Sequence, residues 1–109
     1  MNTRINMMYR DADNYKQFGE HIVAGLFTEA DEAALRATLE DGLYFVPQAV
    51  DIEALGFGDW DEQSDHAYHE MHELEQTDEA PTDQRTVAEL IAAFQAADWT
   101  KAAADAVPA

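Results

Sequence analysis

Three histidines stand at intervals of three, His66-x-x-His69-x-x-His72, beside Asp65, Glu70 and Glu73. On a helix they would share one face, and imidazole with carboxylate there could hold a divalent metal. On a strand, His69 would point away from the other two. No HExxH or comparable ligand spacing accompanies them. No metal is therefore assigned, and the histidines read as half-exposed groups balancing carboxylates. Paired acids such as Asp11 and Asp13, or Asp59 and Asp61, could do acid–base chemistry if a cleft pushed their pKa values apart. Carboxylates are too numerous here for any one pair to stand out. Gly56-x-Gly58 lacks the third glycine of a dinucleotide loop, and Asp11-x-Asp13 lacks the remaining ligands of a calcium loop. There is no cysteine nucleophile or thiolate ligand. The expectation is a protein that is not an enzyme and carries no cofactor.

The charge distribution says more than any motif. Twenty-three Asp and Glu face six Lys and Arg, a formal net charge of −17. From Ala37 to Gln84 there is no Lys or Arg, and that window holds fourteen carboxylates. Such a chain repels phosphate, which argues against direct contact with nucleic acid or an anionic membrane. It should be drawn to basic surfaces, and nucleic-acid-binding sites are the most abundant of these. Fourteen charges equal those on ~24 Å of duplex at one per ~1.7 Å of axis, so one acidic face could imitate a short piece of DNA. The candidate partner-binding residues are Asp59, Asp61, Glu62, Asp65, Glu70, Glu73, Glu75, Asp78, Glu79 and Asp83, with Trp60 as an aromatic anchor ringed by charge. The competing reading is a solvated acidic surface, as in an adaptor from a salt-adapted proteome.

Positioning these groups requires a scaffold. Arg4–Tyr9 alternates as a strand, with Ile5, Met7 and Tyr9 on one face. Residues 10–14 make a polar turn, and Glu20–Phe27 is a second strand. Thr28 caps a helix running to about Asp41, with Gly42 just past its end. Leu43–Val46 is a short apolar segment stopped by Pro47, and a helical turn fits within Pro47–Leu55. His66–Thr77 suits either a helix or a strand. The strand is preferred, because two strands alone make a poor sheet. Thr86–Ala97 is a second helix with a Thr86/Glu89 capping box. The result is an α+β domain over residues 1–100: a small antiparallel sheet of about three strands packed with two main helices, and a flexible tail over residues 101–109. The polar N-terminal stretch and the lack of a ~20-residue apolar run point to the cytoplasm.

The segments Tyr9–Lys16, Asp41–Pro47 and Thr77–Thr82 resemble those of small acidic bacterial proteins of uncharacterised function. In size, charge and α+β pattern the chain also resembles the DNA-mimic anti-CRISPR proteins of phages and mobile elements. That resemblance implies an inhibitor that binds the DNA-recognition surface of a type I CRISPR surveillance complex. The target would be a basic nucleic-acid-binding protein, and a restriction or other DNA-binding enzyme fits the same electrostatics. These families share little sequence, so no residue role is carried over.

Overall fold

A computed structural model describes residues 1–108 and has an α+β architecture. Four strands form one curled antiparallel sheet, β1 (Asn2–Arg10), β2 (Lys16–Val23), β3 (Tyr44–Phe45) and β4 (His69–Thr77), in the order β2-β1-β4-β3. Three helices, α1 (Glu29–Arg36), α2 (Val87–Ala96) and α3 (Trp99–Asp105), and a 3-10 turn at Pro47–Val50 complete it. The sheet thus has one strand more than expected, and residues 69–77 take the strand alternative.

β1 lies inside the sheet, between β2 and β4. Thr3, Ile5, Met7 and Tyr9 are buried on one face, and Met8 on the other is buried too. β2 pairs along its length (Ile5 with His21, Met7 with Gly19), and β4 pairs on the other side (Ile5 with Leu74, Met7 with Met71). Asn6 of β1 therefore opposes two residues of β4, a bulge at His72 and Glu73. A bulge leaves carbonyls out of the ladder, and they must find other donors. Asn6 donates to the Glu73 carbonyl at 2.9 Å and Arg36 of α1 to that of His72 at 2.7 Å.

The core lies between this face and the helices, where Leu35, Leu39, Leu90, Ile91 and Phe94 meet Ile5, Val23, Phe45 and Met71. Both main helices start at reciprocal capping boxes, Thr28 with Asp31 and Thr86 with Glu89. α1 stops at Arg36, short of the expected Asp41. The Thr38 hydroxyl donates to the Leu35 carbonyl at 2.7 Å, and Asp41 and Gly42 turn the chain at positive φ into β3. The second strand starts and ends about four residues earlier than expected, because Gly19, which weakens a strand reading, lies inside it. A Cβ on Gly19 would stand 2.7 Å from Leu55 Cδ2, so the glycine admits Leu55 against the sheet.

Residues 99–105 are helical, although the sequence assigns 101 onward to a flexible tail. Asp98 caps α3 through the Lys101 amide, and Trp99 packs edge-on against Phe94 with centroids 5.6 Å apart. The indole N–H of Trp99 donates to the Thr38 carbonyl at 2.8 Å. Ala109, the last residue of the expected tail, lies outside the described residues. No helix among the described residues is long and apolar enough to cross a membrane.

Candidate partner-binding surface

The loop that carries Asp59, Trp60, Asp61, Glu62 and Asp65 is fastened to one end of the sheet. The Tyr9 hydroxyl, at the end of β1, donates to Asp65 Oδ1 at 2.5 Å and accepts from the His66 amide at 3.2 Å. The Asp61 amide donates to Asp65 Oδ2 at 2.8 Å. These two donors, the hydroxyl first, hold the Asp65 carboxyl below the usual carboxylate range. Burial, and then the bond to Asp65, pushes Tyr9 up to about 12. Asp65 is therefore a clamp as well as a charge.

The same end gathers two acids outside the candidate set. Ser64 donates to Asp13 Oδ2 at 2.9 Å, and the Ala12 amide donates to the Ser64 carbonyl at 2.9 Å. The β1–β2 turn and the acidic loop thus form one pole with six carboxylates: Asp11, Asp13, Asp59, Asp61, Glu62 and Asp65. The molecule measures 40 × 26 × 22 Å. Asp59 and Glu62 are exposed and make no side-chain hydrogen bond among the described residues, while Asp61 turns the loop by accepting from the Gln63 amide.

The other candidates are elsewhere. Glu75 and Glu79 surround Arg4 near the opposite end of β1, at 3.9 and 3.0 Å, with Glu20 at 3.0 Å. Asp78 and Glu73 are exposed in that region. Five strand steps of about 3.3 Å, from Arg4 to Tyr9, put this cluster roughly 17 Å from the acidic pole. Glu70 is largely buried between them, 3.3 Å from Arg10 and 3.2 Å from His72. Asp83 is 8 % exposed, 2.7 Å from Arg85 and 2.8 Å from His21. Arg85 reaches on to the Val50 carbonyl at 2.8 Å, so Asp83 ties β2 to the chain around residue 50. The acidic window, continuous in sequence, is thus not one continuous face.

The histidines separate too. His69 is 2 % exposed, not half-exposed as its surroundings in sequence suggest. Its Nε2 accepts the Leu55 amide at 2.9 Å, and its Nδ1–H donates to the Ala67 carbonyl at 3.0 Å. Burial lowers its pKa. Among the described residues, no group of three or more His, Cys, Asp or Glu could hold a metal. A second acidic feature is a cleft of about 560 Å3 between β2 and residues 51–56, edged by Glu20, His21, Asp51 and Glu53. Asp51 and Glu53 lie in the acidic window, but no sequence signal sets them against β2.

Cations are few and mostly engaged. Arg4, Arg10, Arg36, Arg85 and Lys101 all make ion pairs with carboxylates. Seven carboxylates contact a basic side chain or histidine: Glu20, Glu32, Glu70, Glu75, Glu79, Asp83 and Asp105. The other sixteen of the 23 make no ion pair among the described residues. No protein-family model matches the chain, and comparison with curated proteins and with solved structures returns no match.

Proposed function

We propose that this chain is an inhibitor protein that presents carboxylates in place of phosphates and occupies the nucleic-acid-binding site of a basic protein. The observation that carries the reading is the distribution of ion pairs: five of six cations are engaged within the fold, and sixteen carboxylates are left without a cation. A field of that sign repels nucleic acid and steers a basic partner toward the surface. The acidic pole is the face best suited to contact. Its six carboxylates match the charge on ~10 Å of duplex, and Trp60 stands among them. Glu70, Glu75, Glu79 and Asp83 contribute to the fold and to the overall field, not to this contact. A CRISPR surveillance complex is the target that the resemblance implies, and a restriction enzyme would present the same chemistry.

The test is a pair of charge reversals. Asp59→Lys with Glu62→Lys alters the pole, and Asp78→Lys alters the opposite end; all three residues are exposed. Binding to a partner captured from bacterial lysate should be lost in the first variant and largely kept in the second. Equal retention in both would remove the acidic pole from the mechanism.

A further inference from the structure

Behind the acidic loop lies a cavity of about 140 Å3, lined by Tyr9, Phe57, Trp60, Asp65, His66 and His69 among others, with no Lys or Arg in its wall. Its size, well below the ~300 Å3 at the lower end of drug-sized pockets, admits the tip of a side chain and not a nucleotide. The rings are close together: Tyr9 lies 5.8 Å from Phe57 and 5.2 Å from both His66 and His69, centroid to centroid. Phe57 is half exposed at the mouth and Trp60 is partly so, while Tyr9 and His69 form the buried base.

Backbone groups occupy the ring nitrogens of both imidazoles. His69 accepts the Leu55 amide and donates to Ala67. His66 accepts the Tyr68 amide on Nδ1 at 3.1 Å and donates from Nε2 to the Arg10 carbonyl at 2.7 Å. Both nitrogens of each ring are thus taken up by the backbone in this arrangement. Asp65 differs. It is partly buried, and no Lys or Arg pairs with it among the described residues. Each of its oxygens accepts one hydrogen bond and keeps a lone pair for another. A carboxylate without a counter-ion, set against aromatic faces, is complementary to a cation.

We infer that this cavity receives the guanidinium of one arginine from the partner's basic surface, stacked on Phe57 and Trp60 and donating to Asp65. The inference rests on the partner-binding reading above and names the contact that would anchor it. Arginine is favoured over lysine because a planar, weakly hydrated fork stacks on rings and bonds a carboxylate at once.

The test uses the full chain, with N-acetylarginine methylamide as the probe and the uncharged citrulline analogue as its control. Two indole N–H resonances, Trp60 and Trp99, are followed by NMR. The Trp60 signal should shift saturably with the arginine probe and stay put with citrulline. The Trp99 signal, whose indole N–H is bonded to the Thr38 carbonyl and whose ring is not part of the cavity wall, should not move. Phe57→Leu should weaken the probe roughly fivefold or more, as loss of a cation–π contact of ordinary strength requires. An equal response to citrulline, no response to arginine, or an unchanged Phe57→Leu variant overturns the inference. Partner capture is scored separately. Capture without arginine binding refutes the pocket and leaves the inhibitor reading intact; arginine binding without any captured nucleic-acid-binding protein does the reverse.

Discussion

Replacing Tyr9 by Phe removes one oxygen and little else. The ring keeps its place among Phe57, His66 and His69, so no cavity of consequence opens. What is lost is a 2.5 Å bond to the Asp65 carboxylate, together with the acceptor for the His66 amide. A hydrogen bond to a charged group contributes about 1.5–3 kcal/mol. At roughly 4 °C per kcal/mol for a domain of this size, Tm should fall by about 6–12 °C. The pH dependence carries a sign. Asp65 is held below its unfolded pKa chiefly by this hydroxyl. Its contribution to stability is therefore present above the unfolded value, near 3.9, and lost as pH falls through the folded one. Urea denaturation followed by circular dichroism should find the full difference between the two proteins at neutral pH and little of it in acid. A variant as stable as the parent at neutral pH, or a deficit that persists undiminished in acid, would refute the claim that Tyr9 and Asp65 clamp the loop.

Other outcomes follow from the same geometry. Arg85→Met takes the guanidinium from Asp83, which is 8 % exposed, and leaves it His21 and the residue-85 amide. It should cost about 1.5–3 kcal/mol in urea titrations, the usual worth of a hydrogen bond between charged groups. Lys101→Met, which breaks an exposed i,i+4 pair with Asp105, should leave the urea midpoint essentially where it is. His69 has a lowered folded pKa because it is buried. Its neutral form thus contributes stability that is present above the unfolded value, near 6.5, and lost as pH falls through the folded one; His69→Gln should flatten that part of the stability–pH curve. Absorbance titration should show one of the four tyrosines ionising near 12, because Tyr9 is pushed there by burial. The stability this contributes is fully present below the unfolded value, near 10, and lost as pH rises through the folded one, about 12. Moderate salt should raise stability by screening the −17 net charge, but the chain should fold without molar salt, as a protein of a salt-adapted proteome should not.

The sequence carries its scaffold unevenly. β1 was legible because Ile5, Met7 and Tyr9 fall on one face, and the helix starts were legible because a cap such as Thr28 or Thr86 is a local signal, settled within four residues. α1 was read too long, since Ala37 and Leu39 continue the apolar stripe while the stop is a hydroxyl bonding back to Leu35. β3 is two residues long and exists only because β4 is beside it, a long-range pairing with no local mark. α3 looked like a fraying tail because its Ala-rich stretch has no stripe of its own; Trp99 and the Asp98 cap fix it from one end. Of the candidate site, Asp59 to Asp65 are together, as sequence proximity requires. Glu75 and Glu79 are drawn to Arg4, and Asp83 to Arg85, because so few cations each attract the nearest acids. Which carboxylates stay unpaired depends on strand register, and the slip at Glu73 is invisible in composition.

Competition for a single site decides the account. A nucleic-acid-binding protein captured on the immobilised chain from nuclease-treated bacterial lysate, and eluted with salt, would be mixed with a labelled short duplex and titrated with the chain. The account predicts stoichiometric loss of duplex binding, with inhibition weakening as salt is raised. Duplex binding undiminished at saturating chain would contradict it.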